Sequence, residues 1–473
     1  MKIYNTLTRK NEEFKALLDK AVTFYSCGPT VYDHQTIGNL RTYVLYDTLR
    51  RVLEAEGLEV KHVMNITDVG HLTSDGDEGE DKLEKGAKSS GKTVWEVAGE
   101  NTEEFKRNLE QLNVSLPRLA KATDFIEQQI AMVQTLLDKG FAYQTDQAIY
   151  FDVSKLDSYG RLTGQKLTDK EVGARAEVVV DENKRHPQDF ALWFFLVGRF
   201  ANHEMNWASP WGQGFPGWHL ECSAIVHSTL GDPIDIHSGA VDLIGTHHTN
   251  EMAQTEAAYG NSLANYWVHG EHLLVDGRRM GKSLGNFYTI KDVTDKGYEP
   301  LSLRLLYLQA HYRTQLNFTW RALSAAETHL KNLQAWADLK FQSHLGHKNR
   351  AADVYGWALD KIKVELNNDL NTPQALSELS KLVALAEHEG VDTQKLQPFL
   401  EQIDRLFGLR LAGRQDIGEV AKSLIAQRES ARLTKDWVKA DQLRRQLSDQ
   451  GIEINDTEHG PIWSRSARQR PGE

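Results

Sequence analysis

The pattern of residues 22–66 constrains this chain more than any other stretch. Residues 22–27 (Val-Thr-Phe-Tyr-Ser-Cys) are apolar enough for a buried strand, and Gly28-Pro29 ends it. Residues 39–56 carry helical periodicity that stops at Gly57, and Glu59 to Ile66 predicts a second strand. Strand, helix, strand in that order predicts a βαβ unit, a parallel sheet and an α/β fold. Ligands of such sheets collect at the C-terminal strand ends. Cys27 and Thr67 fall at those two ends.

Downstream, residues 96–140 predict helices, and strand-like stretches recur at 148–152, 175–180, 233–237 and 264–275. From about residue 300 the pattern is helical almost throughout: 301–312, 321–341, 352–367, 373–389, 394–407, 416–431 and 435–450. That run predicts a separate bundle, with boundaries near 315 and 408–415. A chain of 473 residues is long enough for several domains. No apolar run approaches the roughly 20 residues of a membrane span. Met1-Lys2-Ile3-Tyr4-Asn5 carries no apolar signal region, and two cysteines cannot build a disulfide framework, so the expected compartment is the cytoplasm. The net charge of −11 argues against nonspecific coating of nucleic acid but leaves room for a local basic surface. Residues 411–473 hold 11 Lys/Arg against 10 Asp/Glu, so the excess acid lies upstream of this tail.

The two cysteines, Cys27 and Cys222, sit in distinctive stretches, and His247-His248-Thr249-Asn250-Glu251 follows the second. His247 and Glu251 are four apart and share a face if helical. Cys27, Cys222, His247 and Glu251 would make a four-ligand zinc set of two thiolates, an imidazole and a carboxylate. The plainer reading is a pair of buried apolar side chains. The spacing fits no zinc-finger pattern, so the surrounding motifs must decide. Two other motifs fail on inspection. The acidic stretch 75–81 has its glycine one place early for a calcium loop, and Gly86 stands where a bidentate Glu is needed. The stretch 277–286 has three residues, not four, between the glycines of a would-be phosphate loop.

That second stretch instead resembles the Lys-Met-Ser-Lys-Ser loop of class I aminoacyl-tRNA synthetases, here Arg279-Met280-Gly281-Lys282-Ser283. Its companion signature, His-Ile-Gly-His, is matched by Thr36-Ile37-Gly38-Asn39 after the first strand. Cys27-Gly28-Pro29-Thr30-Val31-Tyr32-Asp33, Asn65-Ile66-Thr67-Asp68, Pro216-Gly217-Trp218-His219-Leu220-Glu221-Cys222-Ser223, the His247 to Glu251 run and Ser283-Leu284-Gly285-Asn286-Phe287 resemble the cysteinyl-tRNA synthetase family in particular. The likeness continues through Asn371-Thr372-Pro373, Lys435-Asp436-Trp437, Ala440-Asp441, Gly451-Ile452 and Trp463, and so covers Met1 to about Ser466.

The resemblance implies a class I Rossmann-type catalytic core with an insertion, followed by an all-helical bundle and a small C-terminal anticodon-binding domain. The expected limits are 1–120 and 206–260 for the two halves of the core and 121–205 for the connective insertion. A stem-contact region with the loop would occupy 261–315, the bundle 316–408 and the anticodon-binding domain 409–473. The implied reaction is ATP-dependent ligation of L-cysteine to the 3′ end of tRNA-Cys through a cysteinyl-adenylate. One zinc ion per chain would be held by Cys27, Cys222, His247 and Glu251 and would select the substrate thiolate. The physics suits this task. Packing alone separates near-isosteres such as serine and cysteine by roughly 10–200-fold, whereas a sulfur–zinc bond of about 2.3 Å separates them chemically.

By the same resemblance, Gly28, Thr67 and Trp218 would line the amino-acid pocket, beside Pro29. ATP with Mg2+ would lie against Gly38, Gly239, Asp242, Met280, Lys282 and Ser283, and Thr36, Asn39, Arg279 and Lys282 would act in catalysis. Attack on the α-phosphate needs charge stabilisation and positioning more than proton transfer. Arg432, Trp437, Asp441 and Asp456 would contact tRNA, stacking on and hydrogen-bonding to unpaired anticodon bases. The expected protein is a monomer with no obligate protein partner and no membrane association.

The chain departs from the family pattern in places. Thr36 replaces an imidazole donor with a hydroxyl, and His34 is a candidate substitute. Arg279 offers a planar fork rather than a lysine point charge. Gly281 removes a hydroxyl and loosens the loop. Phe194 and Phe215 stand where the family tends to carry basic residues, and 237–242 holds less glycine than usual. Two competing expectations follow. One is the related cysteine ligase of mycothiol synthesis, which lacks the anticodon module. The other is a non-catalytic tRNA-binding descendant of a synthetase, suggested by Thr36 and Gly281.

Overall fold

A computed structural model describes residues 1–69, 81–164, 181, 183–281, 284–342, 353–389, 392–457 and 460–466. Most of the acidic stretch 75–81, the expected strand at 175–180, and both Lys282 and Ser283 lie outside the described residues. The chain forms two compact units. The first comprises Met1–Glu110, Val114–Leu273 and Tyr312–Gln315, and the second Gln111–Asn113, Leu274–His311 and Leu316–Glu473.

The first unit is built on a parallel sheet. Its elements are β1 (Ala21–Ser26), α1 (Ile37–Ala55), β2 (Glu59–Ile66), β3 (Arg118–Lys121), α2 (Trp218–Thr229), β4 (Ile234–Ala240), α3 (His247–Tyr259) and β5 (Ala264–Gly270). The strand order is β5-β4-β1-β2-β3, and every pairing is parallel. The chain runs outward from β1 to β2 and β3, and from β4 to β5 on the other side. The switch therefore lies between β1 and β4, where α/β sheets open a crevice for ligands. Cys27 leaves β1 at this point, its amide donating to Ser238 O on β4 at 3.0 Å.

Local chemistry explains the βαβ unit. Val22, Phe24 and Tyr25 are buried on β1, and Gly28 follows it because no side chain fits there: a β-carbon would lie 1.8 Å from Asn65 O. Helix α1 starts at a reciprocal cap. Thr36 Oγ1 accepts from the Asn39 amide at 3.1 Å, and Asn39 Oδ1 accepts from the Thr36 amide at 3.0 Å. Arg41 on its next turn is buried and donates to the carbonyls of Glu271, His272 and Thr314.

Residues 96–140 do not form helix alone. Helices Val94–Gln111 and Ile126–Asp138 flank β3, the edge strand of the parallel sheet. A second, antiparallel sheet pairs Ala142–Gln144, Ala148–Phe151, Phe190–Phe195, Gly212–Pro216 and Trp207–Ser209 in that order. One face of it carries Phe194, Phe200 and Phe215, with His203 stacked on Phe215 at 3.9 Å. The two phenylalanines expected at basic positions are thus core residues, stacked on each other at 5.1 Å.

The second unit is helical, with Pro300–Leu308, Trp320–Asp338, Val354–Leu366, Thr372–Glu389, Thr393–Phe407, Glu419–Leu433 and Trp437–Asp449, and it closes on a hairpin of Ile452–Thr457 and Gly460–Arg465. Arg304, fully buried, donates to the carbonyls of Phe407, Leu112 and Asn113 at 2.6–3.1 Å. The left-handed Gly408 leaves room for that guanidinium, since a β-carbon there would lie 2.7 Å from Arg304 Cζ. Among the described residues no helix is long and apolar enough to cross a membrane.

Candidate metal centre and amino-acid pocket

Helices α2 and α3 are buried on nearly every side, yet carry His219, Glu221, Cys222, Ser223, His247, His248, Asn250, Glu251 and Gln254. A buried polar group must find a partner or a ligand. These residues converge at the end of β1. Ligand-capable atoms of Cys27, Cys222, His247 and Glu251 all lie within 4.8 Å of one another, and every member is buried. His247 and Glu251 share a face of α3 one turn apart, His247 Nε2 standing 2.8 Å from Glu251 Oε1. The structure brings together all four residues proposed from the sequence.

Supporting partners orient the set. His247 Nδ1 is 3.0 Å from His219 Nδ1, and His237 Nε2 is 2.7 Å from Glu251 Oε2. Gln254 holds the His219 carbonyl at 2.7 Å, and Tyr46 OH donates to the Cys27 carbonyl at 3.2 Å. Such outer partners fix ligand tautomers and ring orientation. On the far side His248 Nε2 is 3.2 Å from Cys27 Sγ, and its Nδ1 faces His269 Nε2 at 2.8 Å. A second group, Cys27, His237, His248 and Glu251, therefore overlaps the first.

The electrostatics favour ionised side chains within the cluster. Burial opposes the ionisation of Cys222, but the hydrogen bond from Cys27 and the charge of His247 outweigh it and bring the thiol down to about 6. Burial and Cys222 together push Cys27 well up. Burial is likewise overcome at His247, which Glu251 and Cys222 raise to about 10, and at Glu251, which His237 and His247 lower to about 2. Two thiols, an imidazole and a carboxylate, buried and supported in this way, are a donor set that fits zinc.

The residues expected to line the amino-acid pocket lie alongside. Trp218 stacks on the His247 ring at 4.3 Å, on the same turn of α2 as Glu221 and Cys222. Gly28 N donates to Asn65 Oδ1, Asn65 Nδ2 to Thr67 Oγ1, and Thr67 Oγ1 to Glu221 Oε2, at 2.7, 3.0 and 2.7 Å. Gly239 lies on β4 against His248, where a β-carbon would come within 2.5 Å of the ring. Asp242 is exposed in the short turn Val241–Leu243, and Gly38 occupies the first turn of α1. His34 is exposed, and its Nδ1 is engaged by Glu104 Oε2 at 2.7 Å.

Arg279 and Met280 belong to the second unit. Arg279 pairs with Leu274 across a short antiparallel ladder. Asn286 ties the loop together, accepting from Gly281 N at 2.9 Å and donating to Arg279 O at 3.1 Å. In the same unit, Arg428 holds Asp456 through two 2.8 Å bonds, and Arg432 reaches the same carboxylate at 2.9 Å. Trp437 is exposed, with the Arg432 guanidinium 5.9 Å from its ring centre, and Asp441 is exposed one turn further along. Sequence reasoning missed Asn65, His219, Glu221, His237, His248, His269 and Arg428 as working residues. The signal that could have found His219 and Glu221 is the presence of polar residues in the otherwise apolar helix α2.

Comparison with known proteins agrees with this geometry. A solved methionyl-tRNA synthetase of Mycobacterium tuberculosis, bound to methionyl-adenylate, superimposes with a TM-score of 0.57 at 13% identity, over 83% of this chain and 88% of that one. The LeuRS of an Agrobacterium radiobacter K84 complex gives 0.61 at 11% identity, over 85% and 86%. Likeness at that distance shows the fold alone, a parallel α/β core followed by helices. The model of the class I (C) tRNA synthetase catalytic domain matches residues 13–328. Cysteine--tRNA ligase 1 of Burkholderia lata is 42% identical over 97% of this chain and 95% of its own, and Cysteine--tRNA ligase of Treponema denticola is 39% identical over 98% and 99%. The chain belongs to the cysteinyl-tRNA synthetase family.

Proposed function

We propose that the chain is a zinc-dependent cysteine–tRNA ligase, activating L-cysteine with ATP and Mg2+ and passing the cysteinyl group to the 3′ end of tRNA-Cys. The observation that carries this is the buried convergence of Cys27, Cys222, His247 and Glu251 at the switch point of a parallel sheet, in a chain of this family. Bound there, zinc would supply a soft Lewis acid that prefers a thiolate to a hydroxyl.

The chain's own residues do the rest. His219 and His237 hold His247 and Glu251 in place for the metal. Asn65 fixes the Gly28 amide and the Thr67 hydroxyl at the pocket wall. Asn39 has its side-chain oxygen taken by the Thr36 amide and hydroxyl, which leaves its side-chain N–H2 as the group that would donate to a phosphate. The positive end of the α1 dipole favours phosphate, as helix N-termini do. Arg279 and Lys282 would add positive charge toward the triphosphate, with Met280 and Ser283 beside it and Gly239 and Asp242 toward the adenosine. Arg432, Trp437, Asp441 and Asp456 would form the tRNA contact, with the exposed Trp437 ring as a stacking platform. The reading includes a cytoplasmic monomer.

The test is cysteine-dependent ATP–pyrophosphate exchange, with serine as comparison, with and without total tRNA. Exchange with cysteine and not serine is the expected result. No exchange in folded, zinc-loaded protein, even with tRNA, would overturn the reading in favour of a binder that has lost its chemistry. Metal analysis should return about one zinc per chain by the four-ligand arithmetic, and markedly less in Cys222→Ser.

A further inference from the structure

The hydrogen-bond chain that ends at Glu221 has a fixed direction. Gly28 N–H can only donate, so the Asn65 oxygen must face it. The Asn65 amide nitrogen therefore faces Thr67 and donates to its oxygen. That leaves the Thr67 proton for Glu221 Oε2. Asn65, Thr67 and Glu221 are 2%, 1% and 0% exposed, so no solvent disorder blurs this order. The other oxygen, Glu221 Oε1, is buried and has no hydrogen-bond partner among the described residues. An acceptor held in that condition costs free energy until something donates to it.

The surroundings say what the donor is. Glu221 neighbours Cys222, a proposed zinc ligand, and lies one turn from Trp218 on α2. Its bonded partner Thr67 stands just past the C-terminal end of β2, which pairs with β1, the strand that leads to Cys27. A thiol held at the metal places its α-carbon substituents within a few ångströms, and of those only the ammonium is a donor. An ammonium also brings positive charge to a buried carboxyl. Resting on the function proposed above, we infer that Glu221 is a substrate-binding residue whose free oxygen receives the α-ammonium of the amino acid, while its other oxygen orients Thr67.

Glu221→Gln tests this directly. Its carbonyl oxygen would keep the Thr67 bond, which forces the N–H2 into the place of Oε1, where it cannot accept. Three ligands separate the roles: L-cysteine, cysteamine (thiol and ammonium) and 3-mercaptopropionate (thiol and carboxylate). Zinc content and melting temperature of both proteins are measured alongside. The variant is expected to raise KM for cysteine by about tenfold or more, the loss of a charged hydrogen bond, with kcat changed far less. Inhibition by cysteamine should weaken by a similar factor, and inhibition by 3-mercaptopropionate should stay within about twofold. Equal weakening of all three, or of none, would overturn the inference. If Glu221→Gln fails to fold or to hold zinc, the unmodified protein still decides: 3-mercaptopropionate competing as well as cysteamine would overturn it, and cysteamine competing better would support it. An unmodified protein without cysteine-dependent exchange would defeat the proposed function itself, whereas an active one with a uniform response in the variant would defeat this inference alone.

Discussion

Gly239 and His248 are fitted to each other. A β-carbon on Gly239 would lie 2.5 Å from Cε1 and 2.7 Å from Nε2 of the imidazole. The ring cannot swing aside easily, because Cys27 Sγ holds Nε2 at 3.2 Å and His269 holds Nδ1 at 2.8 Å. Gly239→Ala should therefore destabilise the first unit by about 1–3 kcal/mol, as overpacking of a close-packed site does. Denaturant unfolding would measure it, and an unchanged midpoint would show that the ring relaxes freely.

Thr36 has a structural duty whatever its part in catalysis. Its hydroxyl and amide, with the Asn39 side chain, close the first turn of α1. Thr36→Ala should cost about 1 kcal/mol, the usual penalty for losing such a cap. Thr36→Ser should restore most of that in the same unfolding measurement. Equal stability of the alanine and serine variants would argue against the cap.

His203 gives the first unit a pH dependence of definite sign. Burial alone would lower its pKa, but the hydrogen bond and charge of Asp81, 3.0 Å away, outweigh burial and leave the imidazole raised. Its protonated form therefore stabilises the fold fully below the ordinary histidine value of about 6.5. That contribution is lost as pH climbs through the raised folded value. The stability gap between the unmodified protein and His203→Asn should shrink from acid toward alkaline pH. A gap that grows with pH would contradict the ion pair.

Arg428 is buried and grips Asp456 through two parallel bonds that a lysine cannot reproduce. Arg428→Lys should loosen the hairpin strand that carries Asp456. Hydrogen exchange over 452–465 should accelerate by about tenfold, the effect of losing roughly one charge-assisted bond. Protection unchanged from the parent would mean that Trp463 and its apolar neighbours suffice.

Much of this architecture is legible in the residues. The second strand, expected at Glu59 to Ile66, spans those residues, and the helix expected at 373–389 is Thr372–Glu389. Both carry regular apolar spacing over several turns or pleats. Strand β3 escaped notice because Arg-Leu-Ala-Lys is four residues long with a charge at each end. The stretch 264–275 read as continuous but breaks at Glu271-His272, between Gly270 and Leu273. In the candidate metal centre, Cys27 and Cys222 are conspicuous because the chain has no other cysteines. Glu221, His237 and His248 are not, because nothing local marks a carboxyl or an imidazole as buried. Their roles arise where β4 and two helices meet, and that is a fact of tertiary packing.

Helix α2 mounts an indole, a carboxyl and a thiol within five consecutive residues, Trp218 to Cys222. Each residue added or removed inside a helix turns everything beyond it by about 100°. This stretch therefore has almost no freedom in length. A single inserted residue between Trp218 and Cys222 would leave the ring where it is and carry the thiol to another face of the rod. Selection on the pocket thus acts on a ruler as much as on its graduations.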